Sequence, residues 1–349
     1  MIRSHEWRTL SGTRFDTEGA GLIVAIVSKK GGVGKTTTAV SLGAALASQG
    51  RRVLLVDLDP QASTSLWMGV RRADLAPSVA DVVLNGTSLS NAIRPTATRG
   101  LDLLTSSADL AQCERELMAR RDRDVVLRER LRAGIQDRYD YVFIDSPAGL
   151  SLLTMNALVT SDAFLIPATP DFLALEGLDN LLQATERIAF RNRVHLPCLG
   201  IVLTKVDQRT RLSRETAAQI RTQHGNRVFT TEIHGNVRIA EAPAYGQTIF
   251  EYDGQSRSAS DYRLLAVEVD LRRERHQSKA ATPATSLERA PSAVRPAPEQ
   301  KQPVAAMTRP GEPAPAEASR ERRPAEDGSA PERRSSRPIW LKGLGGLAG

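Results

Sequence analysis

Apolar residues along this chain follow two patterns that alternate over most of its length. The first is a short uninterrupted apolar run, as in GLIVAIVS at residues 21–28 and RRVLLVDLD at residues 51–59. The second repeats its apolar positions at helical spacing, as in TTTAVSLGAALASQG at residues 36–50, where Gly50 is placed to end a helix. Uninterrupted runs are typical of strands buried on both faces of a parallel sheet. The alternation therefore predicts an α/β fold with a mostly parallel sheet covered by helices on both faces.

The same alternation continues towards the second half of the chain. Strands are predicted at residues 139–145, 163–169 and 198–207, and helices at residues 174–190 and 211–224. The sequence contains no internal repeat.

The composition changes near residue 277. Eleven of the 19 prolines lie in residues 277–349, together with many Ala, Arg, Glu and Ser residues. Such a segment buries too little apolar surface to offset its ordering entropy, which predicts a disordered C-terminal tail. The predicted organisation is a polar lead at 1–20, a domain at 21–276, a disordered Pro/Ala/Arg-rich linker at 277–338 and a short apolar peptide at 339–349.

The apolar peptide at residues 339–349 allows three interpretations. On a helix, its apolar side chains would share one side, as in a weak membrane anchor. Its glycines oppose a stable helix, since an interior glycine costs about 1 kcal/mol relative to alanine. A peptide that binds a protein partner, or no specific role, therefore remains open beside the membrane anchor. The apolar side chains in question are Ile339, Trp340, Leu341, Leu344 and Leu347.

Composition narrows the class of protein. The 349 residues are 41% apolar, which is enough for a sizeable core, and the two cysteines are too few for a disulfide framework. The first twenty residues lack the apolar run of a secretory signal, and no stretch is apolar enough to span a bilayer. We therefore expect a cytoplasmic protein.

The segment GGVGKTT at residues 31–37 predicts a phosphate-binding loop (P-loop) between a strand and a helix. Its glycines allow backbone N–H groups to turn towards a phosphate, and the following helix N-terminus adds partial positive charge. Lys35 would reach the β- and γ-phosphates, and the Thr36 hydroxyl would bind Mg²⁺. The predicted nucleotide-contacting residues of this segment are Gly31, Gly32, Val33, Gly34, Lys35, Thr36 and Thr37.

Three aspartates follow predicted strands at what would be the same edge of the sheet. Asp57 and Asp59 end the second strand, and Asp145 ends YVFID. Ligands of open α/β sheets gather at this edge, and Mg²⁺ needs only a few protein oxygens. One acid near the metal and another near the attacking water would suffice for hydrolysis of a nucleotide.

Four segments together resemble the ParA/MinD class of deviant Walker-A ATPases, and within it the ParA (Soj-like) partition branch. They are KKGGVGKTT, VDLDPQAS, YVFIDSPAG with LLTMNAL, and GNVRIAEAPAYGQTI, and the resemblance covers roughly residues 21–270. It implies a P-loop NTPase fold with ATP and Mg²⁺ as cofactors.

The resemblance also implies roles for individual residues. Lys30 matches the signature lysine, which in this family crosses to the partner's nucleotide when two subunits enclose two ATP molecules; an action of Lys30 on its own nucleotide remains open. Asp59 matches the acid that positions the attacking water. Asp57 lies near Mg²⁺, and Asp145 is the Walker-B acid. Lys29 matches no required position and is expected to be solvated.

Positive charge is concentrated in residues 186–238, which carry ten basic and four acidic residues. By resemblance, Arg209 and Arg238 fall where the family places arginines that bind nucleoid DNA. Contacts to phosphates would make this binding non-specific and salt-dependent, whereas a solvated charged face is the simpler alternative. His234 and Gly235 stand where many relatives have Pro-Arg, so one cation is missing. Further arginines that could extend the patch are Arg211, Arg214, Arg221 and Arg227.

The resemblance implies a slow ATPase that dimerises with ATP, binds nucleoid DNA and positions a cargo. A ParB-like or other adaptor protein would stimulate hydrolysis. One alternative is a MinD-like regulator that cycles on a membrane through residues 339–349. Another is a metabolic enzyme of the superfamily, such as an amide-forming ligase or an iron-protein reductase. The reductase is disfavoured because Cys113 and Cys198 lack the spacing of cluster ligands.

Overall fold

The computed structural model describes residues 21–281, except residues 136, 172 and 173. The predicted lead at 1–20, the apolar peptide at 339–349 and the predicted linker from residue 282 onwards lie outside the described residues. Within the described part, no helix is both long and apolar enough to cross a membrane.

The predicted parallel sheet is confirmed. The strands are β1 (Leu22–Ile26), β2 (Val53–Asp57), β3 (Ile93–Pro95), β4 (Leu101–Leu104), β5 (Tyr141–Asp145), β6 (Ala163–Ala168), β7 (Cys198–Val206) and β8 (Val228–His234). Their order in the sheet is β3-β4-β2-β5-β1-β6-β7-β8. Every pair is parallel except β3 with β4, which is antiparallel.

The helices surround this sheet. They are α1 (Lys35–Ser48), α2 (Ser63–Trp67), α3 (Val79–Asn85), α4 (Leu89–Ala92), α5 (Asp109–Met118), α6 (Val126–Ile135), α7 (Leu152–Thr160), α8 (Ala174–Asn192), α9 (Arg211–His224), α10 (Val237–Glu241), α11 (Ile249–Asp253) and α12 (Arg257–Ala281). The predicted domain boundary at residue 276 falls inside α12.

Alternate side chains of the central strands enter two separate cores. In β1, Ile23 and Ala25 join one core, whereas Val24 and Ile26 join the other. Side chains of α5, α6, α7 and α8 complete the first core, and those of α1 and α12 complete the second. Because helices cover both faces of the sheet, neither face of β1 contacts water, and this explains its uninterrupted apolar sequence.

The strands that the apolar pattern did not predict are short or lie near the sheet edges. β4 has only four residues, and β8 carries Thr230, Thr231 and Glu232 in its middle. An edge strand has one neighbour, so more polar residues are tolerated there. The apolar pattern therefore predicts the central strands of the sheet but not β3, β4 and β8.

The edge strand β8 is held by two side chains of α12. Arg272 donates to the carbonyl oxygens of Leu199, Arg227 and Val228 at 2.9–3.1 Å, and its guanidinium stacks 3.9 Å from the Phe229 ring centroid. Arg272 also pairs with Glu268 at 3.1 Å, and that carboxylate accepts hydrogen bonds from two backbone N–H groups of β8. This arrangement, the Arg272–Glu268 clamp, fixes α12 to the sheet.

We predict that Arg272→Ala lowers the free energy of unfolding by about 2–4 kcal/mol, because part-buried carbonyl groups lose a charged donor and Glu268 loses its partner. Urea unfolding followed by circular dichroism measures this value. Arg257→Ala, an exposed arginine on the same helix, is the control and should change it by less than about 0.5 kcal/mol. Equal stability of the two variants would contradict the clamp.

Candidate nucleotide-binding site

The glycine loop connects the carboxyl end of β1 to α1. Gly32 and Gly34 have φ angles of 75° and 91°, in the left-handed region that glycine adopts without strain. Helix α1 begins directly after the second of them, at Lys35. Such a turn lets successive N–H groups face one side, next to the positive end of a helix. The loop therefore has the geometry of an anion site.

One carboxylate oxygen joins the loop to two other elements. Thr36 Oγ1 of α1 donates to Asp145 Oδ2 at 2.7 Å, and Thr64 Oγ1 of α2 donates to the same oxygen at 2.8 Å. Lys35 is 8% exposed in the first turn of α1, and its charge acts on the same carboxylate. The other oxygen, Asp145 Oδ1, is buried and has no hydrogen-bond partner among the described residues.

Asp57 lies beside Asp145 because β2 and β5 pair in a register that places these two residues opposite each other. Asp57 Oδ2 accepts hydrogen bonds from the Ser65 N–H at 2.8 Å and the Ser65 hydroxyl at 2.7 Å. Burial, together with the charge of Asp145, raises the pKa of Asp57 to about 7. Burial also raises the pKa of Asp145 to about 6, although the bonds from Thr36 and Thr64 oppose the shift. Two charges here are costly without a cation.

Asp59 lies two residues beyond the end of β2 and is less buried than either of these acids. Its Oδ1 accepts a hydrogen bond from the Gln61 N–H at 2.9 Å, and its own N–H donates to Asp57 Oδ1 at 3.2 Å. The three predicted acids are thus brought together, with Asp59 on the side nearest solvent.

Lys30 differs from Lys35 in its environment. The Lys30 side chain is 58% exposed, and its Nζ lies 2.6 Å from Asp171 Oδ2, in the segment that follows β6. Asp171 Oδ2 also accepts a hydrogen bond from the Thr169 hydroxyl at 2.6 Å. Exposed ion pairs contribute only about 0–1 kcal/mol, so little energy holds Lys30 in this position. Lys29, its neighbour, is exposed as expected.

Arg209 and Arg238 lie beyond the carboxyl ends of adjacent strands, β7 and β8. Arg209 is 91% exposed and forms two hydrogen bonds with Asp207, at 2.9 and 3.1 Å. Arg238 is 58% exposed and lies 3.3 Å from Glu241 Oε2. Both arginines therefore lie on the side of the sheet formed by the carboxyl ends of the parallel strands, which is also the side that carries the glycine loop. Each guanidinium is paired with a carboxylate close to it in sequence.

The other arginines of this segment are used in different ways. Arg221 donates to the carbonyl oxygens of Phe229 and Thr230 and to Glu232, so its guanidinium serves the fold. Arg211 pairs with Glu215 at 2.7 Å, and Arg214 donates to the carbonyl oxygen of Gln208. Arg227 is exposed. No local sequence pattern separates Arg221 from the exposed arginines of this segment.

The departure at His234 and Gly235 has a structural counterpart. His234 Nδ1 lies 3.0 Å from Asp261 Oδ2, and the His234 N–H donates to the same oxygen at 2.9 Å. The side chain thus attaches the end of β8 to α12, immediately before the residues that lead to Arg238.

Sequence reasoning missed four residues of the site. Thr64 and Ser65 hold the two buried acids, and Thr204 and Lys205 at the end of β7 contact the glycine loop. The position of Thr64 and Ser65, seven and eight residues after Asp57 at the start of α2, is a signal that could have identified them.

Comparisons with known proteins agree with this geometry. A family model described as an AAA domain matches residues 21–197. The chain is 41% identical over 249 residues to the sporulation initiation inhibitor protein Soj of Bacillus subtilis, covering 71% of this chain and 98% of Soj. It is 40% identical over 260 residues to the chromosome partitioning protein ParA of Caulobacter vibrioides, covering 74% and 97% of the two chains.

Among solved structures, the fold is similar to cobyrinic acid a,c-diamide synthase of Mycobacterium smegmatis with a bound ATP analogue and magnesium. The TM-score is 0.62 at 32% identity, over 71% of this chain and 93% of that one. The ligands of this relative agree with the predicted cofactors, ATP and Mg²⁺. Sequence, fold and glycine loop lead to one assignment: the chain belongs to the ParA/Soj family of chromosome-partitioning ATPases.

Proposed function

We propose that this protein is an ATP-dependent switch that dimerises with bound ATP, binds nucleoid DNA non-specifically and positions a cargo. An adaptor protein of the ParB kind would stimulate its slow hydrolysis of ATP and release the dimer from DNA. The observation that carries this proposal is the different placement of two lysines: Lys35 is buried in the first turn of α1, and Lys30 is exposed at the rim of the glycine loop. The partition ATPases are the better guide to function because their sequences are 41% and 40% identical to this chain, whereas the sequence of cobyrinic acid a,c-diamide synthase is 32% identical.

The acids fit a magnesium ion bound with ATP. Asp145 Oδ1 is buried and has no hydrogen-bond partner within the described part of the chain, and the Thr36 hydroxyl is directed at the other oxygen of the same carboxylate. Thr36, Asp57 and Asp145 are therefore the residues that would hold Mg²⁺, directly or through its waters. The ion would supply positive charge that offsets both carboxylates and the charge developing on the phosphoryl group.

Asp59 and Lys30 would complete the hydrolytic site. Asp59 is anchored to Asp57 and to the Gln61 N–H yet remains accessible, as an acid that orients an attacking water must be. Lys30 leaves the Asp171 ion pair at little cost and carries its charge to the phosphates of a second subunit. A cation supplied in trans stabilises the transferred phosphoryl group, so hydrolysis would depend on the dimer.

DNA binding would use the arginines beyond β7 and β8. Arg209 and Arg238 are exposed and share the sheet edge of the nucleotide site, so a dimer formed around ATP would bring two sets of them onto one surface. Phosphate contacts of this kind do not read base sequence. The protein would then be a cytoplasmic, nucleoid-associated ATPase. The alternative of membrane binding relies on residues 339–349, which lie outside the described residues.

Removing one buried charge tests the metal site. Without Mg²⁺, Asp145→Asn should raise the free energy of unfolding by about 1–3 kcal/mol at pH 8 and by roughly half as much at pH 5. An aspartate whose pKa is raised in the folded chain lowers the free energy of unfolding progressively as the pH rises from its unfolded pKa of about 4 to its folded pKa of about 6. The same variant should lose the stabilisation that Mg²⁺ adds in the presence of ATP.

Thermal unfolding at both pH values, with and without Mg-ATP, measures these effects. Glu186→Gln, an exposed acid on α8, serves as the control and should follow the wild-type chain. Destabilisation by Asp145→Asn at pH 8 would show that the carboxylate is not under electrostatic stress.

Lys30→Ala should bind ATP with near wild-type affinity and hydrolyse it at least about tenfold more slowly, because the charge supplied in trans is lost. Phosphate release at saturating ATP and equilibrium binding of a fluorescent ATP analogue give the two values. Lys29→Ala removes the neighbouring charge and should leave both unchanged. Normal hydrolysis by Lys30→Ala refutes the role of Lys30.

DNA retention should require ATP and should fall steeply with salt. Arg238→Glu should abolish retention on a DNA column at low salt, since a phosphate-binding cation is replaced by an anion. Arg115→Glu, an exposed arginine on α5, makes the same charge change away from this edge and should be retained. Retention that is equal with ATP and ADP is incompatible with the switch.

A further inference from the structure

Two consecutive side chains at the end of β7 hold the glycine loop by its backbone. Thr204 Oγ1 donates to the carbonyl oxygen of Val33 at 2.7 Å, and Lys205 Nζ donates to the carbonyl oxygen of Gly32 at 2.7 Å. The Thr204 side chain is buried and the Lys205 side chain is exposed. The loop is thus attached to a strand that is neither its own nor an immediate neighbour of β1.

Consecutive side chains of a regular strand point to opposite faces, so this shared direction needs an explanation. The register supplies it: β7 advances three residues from Leu203 to Val206 while β8 advances two, from Glu232 to His234. One extra residue on β7 forms a bulge, and Lys205 there has a φ angle of 53°. A left-handed lysine is energetically unfavourable and requires compensation from its surroundings. Bulges beside active sites commonly redirect a side chain.

The two hydrogen bonds determine which way the loop peptides face. In a trans peptide the C=O and N–H groups point in opposite directions. Attachment of the Gly32 and Val33 carbonyl oxygens to β7 therefore turns the N–H groups of Val33 and Gly34 away from β7. A carbonyl oxygen turned the other way would repel a phosphate, whereas an N–H group binds one.

We propose that Lys205 is a positioning residue of the nucleotide site. Its ammonium group fixes the Gly32 peptide, so that the loop presents N–H groups to a nucleotide polyphosphate before the nucleotide arrives. The strained backbone at Lys205 is the structural cost of this arrangement, and nucleotide affinity is the gain. This inference rests on the nucleotide binding in the proposed function but does not involve DNA, the cargo or the dimer.

Lys205→Met removes the donor at nearly constant size, and it should weaken binding of both Mg-ATP and Mg-ADP about tenfold. Because the loop acts on binding, KM should rise while kcat at saturating ATP stays within about twofold. Lys205→Gly should lose the same affinity without a lower melting temperature in the nucleotide-free state, since glycine relieves the left-handed strain. Lys205→Arg should restore most of the affinity. Titration with fluorescent nucleotide analogues and thermal unfolding measure these effects.

The matched control is Lys29→Met, which removes an equal charge from the rim of the same loop. Wild-type affinity in Lys205→Met, or an equal loss in Lys29→Met, overturns the proposal. A fall in melting temperature that parallels the affinity loss in both Lys205→Met and Lys205→Gly would assign Lys205 to general stability and also overturn it. A wild-type chain that binds Mg-ATP but not DNA would contradict the proposed function alone; one that binds no nucleotide would overturn both.

Discussion

Two carboxylates buried side by side set the physical constraint on this protein. Asp57 and Asp145 end neighbouring strands in register, in an environment that raises the pKa of both. A fold built for stability alone would place apolar or singly charged groups there. The surrounding hydroxyl and N–H donors reduce the cost without removing it, and Asp145 Oδ1 receives no hydrogen bond from the residues that the structure describes. In the proposed function, the cation that comes with the nucleotide would offset both charges.

Helix α2 connects the two buried acids to the segment that follows β8. Helix α2 carries Thr64 and Ser65, which bind the acids, and ends at Trp67, whose indole N–H donates to the carbonyl oxygen of Gln247 at 2.9 Å. Gly69 and Gly246 approach so closely that a Cβ added at Gly246 would lie 3.0 Å from the Gly69 Cα. Helix α2, which follows Asp59, is therefore packed against the turn that follows Arg238.

Much of this arrangement could be predicted because its signals are local. The glycine loop, the start of α1 and the central strands each carry a complete pattern within about ten residues. The meeting of Asp57 with Asp145 followed from the rule that ligands gather at the carboxyl edge of a parallel sheet. Other features depended on tertiary register, which no local pattern contains. The bulge that directs Lys205 and the carbonyl contacts that occupy Arg221 are of this second kind.

The Arg272–Glu268 clamp has a consequence beyond the stability of α12. β8 is the last strand of the sheet, and an edge strand offers free N–H and C=O groups to any other strand that approaches. Glu268 accepts hydrogen bonds from the N–H groups of Thr230 and Thr231, and Arg272 occupies the carbonyl oxygens of Arg227 and Val228. These backbone groups are satisfied within the chain, so the edge is protected against β-aggregation. The clamp therefore also keeps β8 from pairing with a strand of another molecule.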